Sequence, residues 1–221
     1  MGQYTTKGLY NKYDKNHKER SKTDYYATPP EEVTNILNVL KIDFNNQNIL
    51  EPCYGGGHMA KGIYDYLYGH NMKNWSLCCT DLHPHTTQYP FACGIGEEFD
   101  FLGDNYPVPK ETNIDWIVMN PPYATIEPFT IRALEIADRG VIMLARLQFL
   151  EGEKRYNSII KDNPPTDVCV YVDRIQCWKD GKEPEGSSAQ AYAWFIWNKD
   201  VKTKNPNYGT QIHWIRRADK K

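Results

Sequence analysis

The sequence predicts an α/β fold built on a doubly wound, mostly parallel sheet. Three observations point to it. Short apolar runs of strand length alternate with amphipathic helical stretches from residue 28 onward. The run Ile114–Asn120 is apolar almost without alternation, as expected of a strand covered on both faces. A glycine cluster, Gly55-Gly56-Gly57, stands between a strand and a helix, where such sheets make their ligand-binding turns.

The elements follow in order. Thr28-Pro-Pro-Glu31 has the form of a capping box, with Thr28 at the N-cap and Pro29 at the first helical position. Val33, Ile36, Leu37 and Leu40 then make one apolar helical face. Asn48–Pro52 reads as a short strand, followed by a helix through Ala60, Ile63 and Leu67. Ser76–Leu82 and Ile114–Asn120 are strands, Ile126–Ala137 a helix and Gly140–Ala145 a strand. Glu151–Asp162 reads as a helix and Asp167–Val172 as a strand, and Ala191–Trp197 with Gln211–Ile215 completes the set. Residues 1–23 are polar and Lys-rich without apolar periodicity, so a mobile basic arm is expected there. Residues 24–221 are expected to form a single domain, with any recognition loops inserted in its C-terminal half.

Composition narrows the function classes. With 221 residues, 26 Lys+Arg and 28 Asp+Glu, the net charge of −2 excludes a protein that coats nucleic acid through bulk positive charge. Residues 1–22 carry +4, and residues 199–221 carry +5 from seven basic residues against Asp200 and Asp219. Basic ends therefore flank an acidic middle, and the N-terminal arm is expected to contribute to nucleic-acid binding. A hydrophobic content of 40% with a mean hydropathy of −0.69 argues against both a disordered and a membrane-spanning chain. The start has no apolar signal region, which gives the expectation of an intracellular, cytoplasmic protein without membrane association. The six cysteines lack CxxC spacing and read as reduced and mostly buried. His83-Pro-His85 has no companion at ligand spacing, so no metal is expected.

Two places carry chemistry. The turn Glu51-Pro-Cys-Tyr-Gly-Gly-Gly57 lets backbone approach a ligand closely at Gly55 and Gly57, ahead of free helix N–H groups. Asp81 ends the next strand, 24 positions after Gly57, where an acid can accept hydrogen bonds from both ribose hydroxyls. Asn120-Pro-Pro-Tyr123 ends the continuously apolar strand. The prolines stop the strand and fix the backbone, so the Asn120 amide oxygen and the Pro121 carbonyl can converge on one point, which suits an amino group. The Tyr123 ring can stack against the planar heterocycle carrying that amine.

In these motifs and their order, residues 24–150 resemble the amino-group DNA methyltransferases that use S-adenosylmethionine, in the compact form carried by phages and mobile elements. The resemblance implies a Rossmann-like class I methyltransferase fold with one antiparallel strand near the C-terminus. Asp24-Tyr-Tyr-Ala-Thr-Pro29 resembles the family's N-terminal motif, which implies that Ala27 and Thr28 touch the methionine part of the cofactor. Ile49–Gly57 resembles its cofactor loop, with Glu51, Pro52, Gly55 and Gly57 as binding residues. Asp81 with Leu82 fits the ribose-binding position, and Phe99-Asp-Phe-Leu102 resembles the segment whose acid, Asp100, meets the adenine amine while Phe101 packs on its ring. Asn120, Pro121, Pro122 and Tyr123 match the catalytic tetrapeptide in its adenine form, and Asn120 also borders the cofactor.

The implied reaction is methyl transfer from S-adenosylmethionine, with S-adenosylhomocysteine as product, to the N6 amine of a flipped adenine in DNA. The same tetrapeptide occurs in enzymes acting on protein glutamine amides, on adenine in RNA and on the N4 amine of cytosine in DNA, and a non-catalytic nucleic-acid-binding module is a further alternative. Leu144–Gly152 also resembles the phage set; Arg146 within it is expected either to touch phosphate or to pair with Glu151. Only 98 residues follow Tyr123, so loops such as Glu151–Tyr156 and Asp180–Ser188 are the expected readers of DNA. The sequence shows no interface pattern that would set an oligomeric state.

Overall fold

Apolar side chains alternate along the central strands between two covered faces, and this organises the molecule. The computed structural model describes residues 24–83, 85, 89, 97–104, 113–184 and 190–219. The basic arm expected over residues 1–23, Cys93 and the part 185–188 of the glycine- and serine-containing loop lie outside the described residues. The main sheet contains β2 (Asn48–Glu51), β3 (Ser76–Asp81), β4 (Glu97–Glu98), β5 (Ile114–Met119), β6 (Ala137–Arg146), β7 (Asp167–Tyr171), β9 (Tyr192–Asn198) and β10 (Gln211–Ile215). Their spatial order is β10-β7-β9-β6-β5-β2-β3-β4. Only β9 runs antiparallel to its neighbours, pairing Val141 with Trp197 on one side and Cys169 with Trp194 on the other. The mostly parallel sheet with one antiparallel strand near the C-terminus is therefore present.

Helices α1 (Pro30–Leu40) and α2 (His58–Gly69) cover one face. There Val33, Ile36, Ile63 and Leu67 pack with Trp116, Val118, Ile142, Leu144, Trp194 and Ile196. On the other face, α3 (Ile126–Ile136) contributes Phe129 and Ala133 to a core with Ile117, Met119, Val141, Met143, Phe195 and Trp197. Successive residues of β5, β6 and β9 thus enter opposite cores, which is why these strands read as unbroken apolar runs.

A second, two-stranded ribbon pairs β1 (Tyr26–Ala27) antiparallel with β8 (Trp178–Lys179). Strands of two residues carry no period for a sequence to display, and neither was expected. The polar helix α4 (Lys199–Lys204) was also missed; it is capped by Asn198, whose Oδ1 accepts from Val201 N–H at 3.2 Å.

Several expectations need correction. Thr28 does not cap a helix: α1 begins at Pro30, with Pro29 as its extended N-cap residue at φ −52° and ψ 129°. A residue preceding proline is pushed out of the helical region, so Pro29 cannot join the helix that Pro30 starts. The helix expected over Glu151–Asp162 starts only at Glu153, because Gly152 adopts φ 107°, and after Arg155 it widens into a π-turn over Tyr156–Ile160. The strand read at Gly140–Ala145 is longer, Ala137–Arg146, and takes Ala137 from the helix before it. Cys78 is exposed rather than buried, since along β3 Leu77 and Cys79 face the α1–α2 core while Cys78 points to the opposite face of the sheet.

Candidate active site

The carboxyl ends of β2, β3 and β5 converge where parallel sheets of this kind place their ligands. β2 ends in Glu51, which is 1% exposed, and the chain turns through Gly55 (φ 52°) and Gly57 (φ 84°) into α2. Both conformations favour glycine. The turn is tied to β3 by Gly55 N–H donating to Asp81 Oδ2 at 2.7 Å and Tyr54 N–H donating to the Thr80 carbonyl at 3.0 Å. Asp81 Oδ1 accepts from His83 N–H at 2.8 Å. Burial raises the Asp81 pKa above the ordinary carboxylate value, and those two N–H donors oppose the rise.

Close ligand approach is the expectation at Gly55 and Gly57; in the structure Tyr25 packs closely on Gly55 and Gly56. A Cβ on Gly55 would lie 2.3 Å from Tyr25 Cε2, and one on Gly56 would lie 2.5 Å from the Tyr25 hydroxyl. That hydroxyl accepts from Gly56 N–H at 2.8 Å and stands 3.2 Å from His58 Nδ1. Burial pushes the Tyr25 phenol up to about 12, so it stays neutral. Gly55 and Gly57 shape the loop but do not line the cleft it borders.

That cleft is lined by Tyr25, Ala27, Thr28, Glu51, Cys53, Asp81, Asn120 and Pro122 among others. A second cavity shares Cys53, Asp81 and Pro122 with it. It continues along Pro52, Leu82, Phe99, Asp100, Phe101 and Leu102. Most of the residues singled out in the sequence therefore meet in two adjoining lobes. Phe101 is 1% exposed and packs on Phe129 with centroids 5.0 Å apart, so it forms wall rather than a mobile lid. Asp100 Oδ1 accepts from Leu102 N–H at 3.0 Å. Sequence reasoning missed Cys53, His58 and Met59 as lining residues; none of them bears a spacing signal. Burial, reinforced by the negative charges of Asp81 and Glu51, drives the Cys53 thiol well above its ordinary value.

Asn120 stands immediately after β5. Its Nδ2 donates to the Tyr26 carbonyl at 2.7 Å and to Thr28 Oγ1 at 3.1 Å. Both amide protons are thereby held by the β1 segment, and Oδ1 is left as the acceptor. Asp24 makes a second link between the same two segments, Oδ2 accepting from Ala124 N–H at 3.2 Å. Pro121 is buried. Tyr123 lines neither lobe: its hydroxyl bonds that of Tyr192 at 2.7 Å, and its ring lies 5.3 Å from Tyr26. Arg146 neither pairs with Glu151 nor extends freely into solvent. Its guanidinium carbon sits 4.4 Å over the Tyr123 ring, while Arg155 takes the Glu151 carbonyl.

No family model matches the chain, and no curated protein matches its sequence. Solved structures do match in shape. The methyltransferase subunit of a type I restriction-modification system from Streptococcus thermophilus aligns with a TM-score of 0.58 at 12% identity, over 80% of this chain and 46% of that one. A provisionally named class I S-adenosylmethionine-dependent methyltransferase from Listeria monocytogenes aligns at 0.57 and 13% identity, over 89% and 67%. A provisionally named RNA methyltransferase from Pyrococcus horikoshii aligns at 0.53 and 16% identity, over 80% and 88%. The chain has the class I methyltransferase fold. It spans about half the length of the Streptococcus subunit. Among the described residues no group of His, Cys, Asp and Glu is arranged to hold a metal ion, and no helix is long and apolar enough to cross a membrane.

Proposed function

We propose that this protein transfers a methyl group from S-adenosylmethionine to the N6 amine of adenine in DNA. The observation that carries the reading is the fixed Asn120 carboxamide. With both Nδ2 protons committed to Tyr26 and Thr28, Oδ1 is the amide atom left to accept a hydrogen bond, and Asn120 lines the cleft. An acceptor held in advance, with the Pro121 carbonyl next to it in the chain as the proposed second, is what an exocyclic amine needs.

The two lobes fit the cofactor by chemistry. The first holds the carboxylates of Glu51 and Asp81, suited to a cationic ligand and to ribose hydroxyls. The second has apolar walls from Leu82, Phe99, Phe101 and Leu102 with Asp100 at hand, suited to a planar base bearing an amine. When bound, the cofactor supplies an electrophilic methyl on a sulfonium. The chain does the rest by position. Asp81 keeps lone pairs for hydroxyl donors after accepting from Gly55 and His83. Asn120 Oδ1 and the Pro121 carbonyl accept from the two N–H groups of the target amine, favouring a pyramidal nitrogen whose lone pair points toward the methyl carbon. Positioning and fixed dipoles make up the catalysis, and no cysteine nucleophile is required, in keeping with a Cys53 thiol held protonated.

A target amine in a duplex is reached by flipping the base, at a cost of a few kcal/mol, of which stacking on Tyr123 returns about 1–3 kcal/mol. The resemblance in the tetrapeptide and the type I subunit among the structural neighbours support DNA as substrate. Asn120→Ala is expected to abolish transfer while leaving cofactor affinity within about twofold. Retained turnover would remove Asn120 from its role.

A further inference from the structure

We propose that Arg146 acts through Tyr123 as a positioning and specificity residue, its guanidinium tuning the stacking ring toward electron-rich purines. The inference rests on the base-stacking role given to Tyr123 above. Arg146 ends β6, directly across from Tyr192 of antiparallel β9. From there its guanidinium carbon lies 4.4 Å from the Tyr123 centroid, and the Tyr192 hydroxyl bonds the Tyr123 hydroxyl at 2.7 Å. The Tyr123 ring is thus held at one face by the cation and at its hydroxyl by Tyr192.

Two further features make the charge matter. Among the described residues Arg146 forms no ion pair, and its buried Nε has no hydrogen-bond partner. The positive charge is therefore expressed against the π-system instead of being neutralised by a carboxylate. A cation on one face draws π-density toward itself and leaves the opposite face less negative. A base stacking on that opposite face gains most when it is electron-rich, as a purine carrying exocyclic amines is. The same contact restrains the Tyr123 ring before substrate arrives.

The test uses the full-length protein with Arg146→Met, which removes the charge at similar length, and Arg146→Lys, which keeps it. Substrates are two DNA preparations of identical sequence, one amplified with adenine and one with 2,6-diaminopurine in its place. Arg146→Met is expected to lose about tenfold in kcat/KM on adenine DNA. It should also lower the diaminopurine-to-adenine rate ratio by about threefold, with Arg146→Lys restoring most of that ratio. Cofactor affinity should stay within twofold in both variants, since Arg146 lines neither lobe. Equal losses on both DNAs with an unchanged ratio would make Arg146 a phosphate contact or a structural prop and overturn the inference. A Lys variant no better than Met would overturn it as well, and Lys supplies the comparison with wild type if Met fails to fold. Wild-type protein that methylates neither DNA overturns the proposed function and this inference together, whereas wild-type turnover with an unchanged ratio in the variants overturns the inference alone.

Discussion

Replacing Thr28 with valine tests whether the β1 segment orients the Asn120 amide proposed to act in catalysis. Valine has the shape of threonine without the hydroxyl, so Thr28→Val removes the 3.1 Å acceptor of Asn120 Nδ2 and leaves the 2.7 Å bond to the Tyr26 carbonyl. Thr28 is 2% exposed, so the new methyl takes the buried position of the hydroxyl, against Asn120 Nδ2. Asn120 itself is half-buried, and water can partly satisfy the released proton. The loss should therefore be that of one ordinary hydrogen bond, about 0.5–1.5 kcal/mol. Spent on orientation in the transition state, this is about two- to twelve-fold in kcat. Single-turnover rates with saturating cofactor measure it directly, with Thr28→Ser as a control that keeps the hydroxyl and should remain within about twofold of wild type. Unchanged kcat in Thr28→Val, or an equal loss in Thr28→Ser, would refute the reasoning.

Other outcomes follow from the same geometry. Burial raises the Asp81 pKa, and its ionised oxygens are the ones proposed to accept ribose hydroxyls. Cofactor affinity should therefore fall as pH drops through that raised value, starting at a higher pH than an unperturbed aspartate would allow; isothermal titration across pH checks it. The stability contribution of the same group has the opposite sign, because a raised folded-state value makes the ionised, buried form unfavourable. Its stabilising effect is complete below the unfolded-state pKa and is lost as pH rises through the folded-state one, so the ligand-free protein gains from acidification at this residue while losing affinity. Gly62→Ala in α2 sets two effects against each other. Alanine favours a helix interior by about 1 kcal/mol, but a Cβ there would lie 2.4 Å from the Pro30 carbonyl and 2.5 Å from Val33 Cβ. Prying α1 from α2 costs about 1–3 kcal/mol, so a net loss in urea melts is expected, and a stabilised variant would contradict the packing described.

Much of the sheet was legible because β5, β6 and β9 send alternate residues into two apolar cores, which writes itself as continuous runs. What escaped was structure without periodicity. β1 and β8 are two residues each, and their pairing is what brings Tyr26 and Thr28 to Asn120. The capping-box pattern at Thr28 was a local signal overruled by its surroundings: Pro29 precedes a proline, and the Thr28 hydroxyl accepts from Asn120. Within the site, the acids and the tetrapeptide stood out by position after strands. The close packing at Gly55 was legible as a need for glycine, but a sequence cannot show that Tyr25 is what packs there. Arg146 was singled out without its partner, because Tyr123 lies 23 positions away and meets it only through the placement of β6.

The most direct measurement incubates the protein with methyl-labelled S-adenosylmethionine and unmethylated duplex DNA, digests the DNA to nucleosides and separates them, with Asn120→Ala as the control. Label in N6-methyldeoxyadenosine with wild type, and none with Asn120→Ala, is the expected result. Label confined to methylcytosine, RNA or protein, or equal labelling by the Asn120→Ala variant, would contradict the account.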